Sequence, residues 1–260
     1  MVQQPRTLLP TQTDEEQALT QSMLGEALWL AQTTHPVLAT ATSIYSSLFK
    51  HQTKGGLAAC KHMFRYIKKH MSSSLVKRAG VRSGLKVSSD ADWAGMYTLT
   101  GEKRSRSGTL ATYDEMPIDW KSGFQQCKGT EYNPELATQY TEDLIATSSA
   151  ESEVYAAADS SKLALHLMYV CEEMQIPIED AVPIQVDAGA AMGFIHNTAT
   201  VGRMKHIDLR ESWIDIMRSK QLKYSRVAGT DNPADFFTKI IVGPSLRKVE
   251  SELMMMAHSN

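Results

Sequence analysis

Residues 148–175, SSAESEVYAAADSSKLALHLMYVCEEMQ, decide the fold class of this chain. Their apolar side chains recur at helical spacing, and Ser148 with Glu151 fits the S-x-x-E pattern that opens a helix. Strand-like segments bracket this long helix. LKVSSDADW (85–93), RSGTLATY (106–113) and MPIDWK (116–121) precede it and make a three-stranded antiparallel start. PIQVD (183–187) follows as a short buried strand, and AGAAMGFIHN (188–197) as a short helix. HIDLRESWIDIMRS (206–219) then reads as an amphipathic helix, LKYSRV (222–227) as a strand and NPADFFTKII (232–241) as a last helical segment. Alternation of this kind implies an α/β protein, a mixed sheet of five strands flanked by helices.

Upstream, the texture is helical. Gln17, Leu24, Leu28 and Ala31 fit a helical period within 15–50, and Pro36 interrupts it. GGLAACKHMFRYIKKH (55–70) is amphipathic: Leu57, Ala58, Cys60, Met63, Phe64 and Ile67 form its apolar side, and Lys61, Arg65, Lys68 and Lys69 its basic side. MSSSLVKRAG (71–80) reads as a linker, which sets a boundary near residue 75. The expected organisation is a tail over 1–14, a helical segment over 15–75, the α/β domain over 84–242 and a C-terminal tail over 243–260. The polar stretch 123–144 reads as a long loop or insertion.

A hydrophobic share of 42% and a mean hydropathy of −0.28 exclude a collagen, a disulfide miniprotein and a wholly disordered chain. No apolar run approaches a membrane span, and MVQQPRTLLP lacks a signal-peptide core. Cys60, Cys127 and Cys171 are far apart, which argues against a zinc site and suits a reducing, intracellular compartment. The net charge of −2 conceals an uneven distribution: residues 51–106 carry 12 Lys and Arg against 3 Asp and Glu. Such a basic block fits a polyanion binder and fits a solvated helical face equally well.

Four acids stand at the ends or starts of elements. Asp90 lies in or at the end of a strand, Glu153 in the first turns of the long helix, and Asp187 at the end of PIQV. Asp235 follows Asn232-Pro233-Ala234, a helix start with Asn as cap and Pro in the first turn. Singly, each suits a turn, a cap or a helix dipole. Together they suit magnesium-dependent phosphodiester hydrolysis, where carboxylates hold two ions ~4 Å apart.

Seven motifs occur in order: SDADWAG (89–95), KRSRSG (103–108), DWKS (119–122), TSSAESEVYAAA (147–158), IQVDAGAAM (184–192), GRMKHIDLRESWI (202–214) and DNPADFFTK (231–239). They resemble the RNase H domain of copia-type LTR retrotransposon Pol polyproteins. LGEALWLAQTTHPVLATATS (24–43) and CKHMFRYIKKH (60–70) are similar to the segment joining reverse transcriptase to RNase H in that family. The resemblance covers roughly residues 5–245.

The resemblance implies an RNase H-like fold with a small N-terminal helical segment, and cleavage of the RNA strand of RNA–DNA hybrids. It carries the family's four carboxylates onto Asp90, Glu153, Asp187 and Asp235, as both catalytic residues and metal ligands. Glu153 is preferred to Glu151 because Ala156 completes a Glu-x-x-Ala pattern. Asp92 competes with Asp90, since both would face the same side of a strand. Two Mg²⁺ ions are implied, with Mn²⁺ as a substitute. Asp90 would bridge them, Glu153 and Asp187 would complete one, and Asp235 the other. Lys61, Arg65, Lys68, Lys69, Arg104 and Arg106 are the implied nucleic-acid contacts, on the same side as the acids.

The implied partners are an RNA–DNA hybrid and a reverse-transcriptase polymerase domain, with no membrane, in a cytoplasmic particle or the nucleus. No polymerase palm is recognisable, so the chain reads as the C-terminal part of a Pol polyprotein, as a separate reading frame or a truncated copy. An idle nucleic-acid-binding remnant and an integrase-type nuclease are the competing expectations. Three departures from the family pattern stand out: Ala188-Gly189-Ala190 replaces the usual Asn-Gln-Ser, the insertion between Trp120 and Ser148 is longer than the usual connection, and Thr34-His35-Pro36 replaces Arg-Pro-Asp. Loop 227–232 also lacks the histidine that cellular RNases H carry before their last Asp. Trp93 and Trp120 read as core residues.

Overall fold

Five strands, β1 (Leu85–Asp92), β2 (Arg106–Tyr113), β3 (Met116–Phe124), β4 (Val182–Val186) and β5 (Leu222–Arg226), form one sheet in the order β3-β2-β1-β4-β5. The computed structural model describes residues 10–49, 53–77, 79–95, 104–125, 146, 148–187, 189–196, 216–218, 220–241 and 243–254. The chain divides into two units, Met1–Leu75 with Glu250–Asn260, and Val76–Val249. The sheet lies in the second.

β1, β2 and β3 are antiparallel, whereas β4 runs parallel to both β1 and β5. This is the mixed five-stranded arrangement expected of an RNase H-like fold. Asp114 and Glu115 turn β2 into β3, both in the left-handed region at φ 51° and 64°. Such a two-residue turn matches the twist of a hairpin. Asp114 also accepts hydrogen bonds from the backbone N–H groups of Ser83 and Gly84, at 2.9 and 3.0 Å. Pro117 is tolerated because β3 is an edge strand.

The long helix α4 (Ser149–Glu173) is capped by Ser148, whose hydroxyl accepts from the Glu151 N–H at 3.2 Å. The Glu151 carboxylate accepts from the Tyr155 hydroxyl, so it is drawn along the helix as well. Val154, Ala157, Ala158, Ala164 and Met168 pack with Val87, Ala111, Ile184 and Val186 to form the core. Alanines on this face let the helix lie close to the sheet, and Thr109 of β2 bonds Ser160 of α4 at 2.9 Å. The other face of β2 meets the 3-10 helix Pro233–Phe237. A Cβ on Gly108 would lie 2.7 Å from the Ala234 carbonyl oxygen and 2.9 Å from Phe237 Cβ. Thr109 and Gly108 point to opposite faces, so the sheet is covered on both sides.

Several elements differ from the sequence expectation. The last helical segment is the 3-10 turn Pro233–Phe237, not a helix over 232–241. Its first donor is absorbed by Asn232, and Thr238 N–H closes a turn on the Asp235 carbonyl. The expected tail after 242 contains the helix α6 (Pro244–Leu253). β3 runs on to Phe124 and takes in the first residues of the expected loop. Beyond Gln125 that loop lies outside the described residues. So does most of the expected helix 206–219, including His206. Between them α5 (Gly189–Ile195) follows β4 as expected.

In the first unit, α1 (Asp14–Thr33), α2 (Ala39–Leu48) and α3 (Lys54–Lys69) enclose Leu24, Ala27, Ala31, Leu38, Cys60 and Met63. The buried stripe of α1 runs through Thr20, Leu24, Ala27 and Ala31, not through Leu28. Thr20 can be buried there because its hydroxyl donates to the Glu16 carbonyl at 2.7 Å. Thr13 and Glu16 make a reciprocal capping box that starts α1. The buried Glu250 of α6 accepts from the Tyr66 hydroxyl of α3. Among the described residues, no helix is long and apolar enough to cross a membrane.

Gly108→Ala should destabilise the protein by ~1–3 kcal/mol, because a backbone oxygen blocks the added methyl group. Gly123→Ala, where a Cβ meets nothing within 4 Å, should be near neutral. Urea denaturation of the two variants gives the comparison, and equal costs would remove the close contact at Gly108 as its cause.

Candidate functional site

The parallel pairing of β1 and β4 places two acids side by side. Val87 pairs with Ile184 and Ser88 with Gln185. Continuing that register by two residues brings Asp90 opposite Asp187, at the carboxyl ends of both strands. In an α/β sheet, the space beyond those ends is where ligands are bound. Glu153 enters from the first turns of α4. One carboxylate oxygen from each of Asp90, Glu153 and Asp187 lies within 4.8 Å of the others.

Asp90 is 1% exposed. Burial pushes its carboxyl up to about 7, with Asp235 and Asp187 adding to the shift while the Thr238 hydrogen bond and Lys239 oppose it. Burial first, with the neighbouring Asp90 and Asp187 charges after it, likewise pushes Glu153 up to about 9. Asp187 is tied by its backbone, since its carbonyl accepts from Arg226 Nε at 3.2 Å. Its side-chain Oδ1 is buried without a hydrogen-bond partner among the described residues. Three crowded carboxylates, one with an unmet acceptor, make a donor set of hard oxygens that suits a divalent cation.

Asp235 stands at the edge of this group. It comes from the 3-10 turn and pairs with Lys239 four residues on. Its charge is felt at both Asp90 and Glu153, but it is not one of the three clustered acids. Asp92 is not in the cluster either. Burial raises its carboxyl, and Lys239 and Arg106 pull against that shift.

Residues other than the four acids hold the site together, among them Asn232, the cap expected from the sequence. Asn232 donates to the Ser89 carbonyl at 2.9 Å and accepts from the Ala234 N–H at 3.1 Å. It staples the turn that carries Asp235 to the strand that carries Asp90. Thr238 donates to the Asp90 carboxylate, and its hydroxyl also lies 3.0 Å from the Asp235 carbonyl. Gln125, buried at the end of β3, donates to Ser107 and to the Ser152 carbonyl next to Glu153. Asn232, Thr238 and Lys239 all sit in the motif DNPADFFTK. Their signal was the motif itself, since none of them is an acid.

The basic residues divide. Lys61, Arg65, Lys68 and Lys69 are exposed on α3 in the first unit. Arg104 is half-buried, with its guanidinium 4.4 Å from the centre of the Phe124 ring. Arg106 corrects the expectation of a surface contact. It is 0% exposed, donates to Ser122 and lies over the same ring, so a phosphate cannot reach it. Trp93 is a second correction. It is 48% exposed rather than a core residue, and its indole N–H donates to the Ala146 carbonyl at 3.0 Å.

No family model matches the chain. It is 26% identical over 241 residues to the retrovirus-related Pol polyprotein from transposon TNT 1-94 of Nicotiana tabacum, which covers 91% of this chain and 16% of that protein. It is also 28% and 25% identical to the Pol polyproteins from transposons RE2 and RE1 of Arabidopsis thaliana, over 84% and 89% of this chain and 14% of each relative. Homologues of this chain are thus copia-type retrotransposon Pol polyproteins, and it spans about one-sixth of their length or less.

The raised carboxyls set a direction for pH dependence. Below pH ~4 the folded and unfolded chains both hold these protons. Between there and the folded values of about 7 and about 9, the folded chain holds protons that the unfolded chain has released. Stability of the metal-free protein should therefore fall as pH rises through that window. Thermal unfolding in EDTA at pH 5.5, 7 and 9 should show it, with a shallower fall in Glu153→Gln. An identical slope in that variant would remove Glu153 as a source.

Proposed function

We propose that this chain is a metal-dependent endoribonuclease that cuts the RNA strand of RNA–DNA hybrids, the RNase H part of a retrotransposon Pol polyprotein. The convergence of Asp90, Glu153 and Asp187 at the carboxyl ends of β1 and β4 carries this reading. Similarity to Pol polyproteins over most of the chain supports it. Asp90, Glu153 and Asp187 would hold Mg²⁺, with Asp235 beside them for a second ion. Bound Mg²⁺ would supply charge stabilisation at the phosphoryl group and lower the pKa of a water.

The chain's own residues do the positioning. Thr238 fixes the Asp90 carboxylate, and Asn232 fixes the approach of Asp235 to β1. Desolvation opposes ionisation of Asp90 and Glu153 at neutral pH, so a bound cation would displace their protons and then offset the cost of ionising them. None of the four acids needs to form a covalent intermediate, so the site works by charge and alignment. Lys61, Arg65, Lys68, Lys69 and Arg104 are proposed to meet the phosphate backbone, which would make affinity fall steeply with salt.

A labelled hybrid of RNA and DNA tests the reading. With Mg²⁺ the RNA strand alone should be cut, and EDTA should stop it. Asp187→Asn should lower the rate on the order of 10³-fold while hybrid binding persists. Hybrid that is bound but never cut by the natural chain would leave an idle binding remnant as its function.

A further inference from the structure

A lysine ammonium stands among the acids. Lys239 Nζ pairs with the Asp235 carboxylate, four residues away at the end of the 3-10 turn. Its charge also acts on Asp90, Asp92 and Glu153, favouring the ionised form of each. Asp235, the acid it holds, lies outside the three-carboxylate cluster. The Lys239 side chain is 48% exposed and that of Asp235 30% exposed. A pair so open to water is held weakly and can be exchanged.

We propose that Lys239 is the resident counter-cation of the acidic pocket, competing with a divalent cation for Asp235, so that filling the second ion position requires Lys239 to release that carboxylate. The inference rests on the metal-binding part of the proposed function and extends it to the order in which the site fills. Asp90, Glu153 and Asp187 take the first ion, because they already converge. Asp235 then exchanges one positive partner for another. An ammonium close to a divalent ion on shared carboxylates is repelled by it, so the two do not occupy the place together. Without the divalent ion, Lys239 offsets part of the repulsion among the acids.

This assigns opposite effects to one substitution. Lys239→Gln removes the competitor and the apo-state counter-charge together. Mn²⁺ titration by calorimetry, without nucleic acid, should show the second, weaker ion bound about tenfold more tightly in Lys239→Gln. The same variant in EDTA should unfold at a temperature lower by about 2–4 °C. Lys239→Arg, which keeps the charge, should stay near the natural chain on both measures. Mn²⁺ binding that is unchanged or weaker in Lys239→Gln would overturn the inference alone. Weaker hybrid binding with unchanged Mn²⁺ affinity would also overturn it and make Lys239 a phosphate contact. Absence of Mn²⁺ binding by the natural chain would remove the metal reading of the site, and this inference with it.

Discussion

The parallel register between β1 and β4 is the constraint on which the site depends. It fixes Asp90 and Asp187 at the same height, on adjacent strands about 4.8 Å apart. Neither acid could relax away without breaking the centre of the sheet, where Val87 and Ile184 are fully buried. Glu153 is then pressed against this pair by α4, whose face of small residues packs onto the same strands. Three carboxyls are thereby confined in a place with little water. Ionisation of Asp90 and Glu153 is opposed by desolvation first and by neighbouring carboxylates after it. A core that is apolar and well packed holds a site that repels itself.

What offsets that repulsion lies almost entirely in one short segment. Residues 231–239 supply the Asn232 staple, the Thr238 hydroxyl and the Lys239 ammonium, all acting on β1 or its acids. Gly108 makes room for this segment by having no side chain where the Ala234 carbonyl comes close. Asp90 and Gly108 are direct partners across β1 and β2. The strand pair therefore presents an acid and a gap side by side, and the 3-10 turn fits over the gap and bonds the acid. This explains why a glycine is found inside a central strand, where it is otherwise unfavourable.

Legibility in the sequence follows how local each cause is. Strand alternation, the Ser148 cap and the Pro-bearing turn at 233 are short-range features, and the elements they foretell are present. Helix α1 was placed well, but its inward stripe was misjudged. Thr20 reads as polar until its bond to the Glu16 carbonyl is seen. Arg106 and Trp93 failed in opposite directions for a similar reason. Charge suggested a surface for Arg106, yet a facing Phe124 and Ser122 accept it inside. Size suggested a core for Trp93, yet a single carbonyl satisfies its N–H at the surface. Such outcomes depend on partners 16 to 53 residues away, which no window of sequence contains.

The choice between Asp90 and Asp92 shows the same limit more sharply. Alternation puts both on one face of β1, so local reasoning leaves them equal. They are separated by what each faces across the sheet. Asp90 faces Gly108, which admits Thr238, and its parallel neighbour is Asp187. Asp92 faces Arg106, a buried cation that, after Lys239, favours its charged form against the burial that raises its carboxyl. Both acids feel Lys239, but the first otherwise has only a hydroxyl and two clustered carboxylates, a set with room for a further cation from outside. The second already has one inside. A two-residue step along one strand therefore separates an acid available for a ligand from an acid committed to the fold.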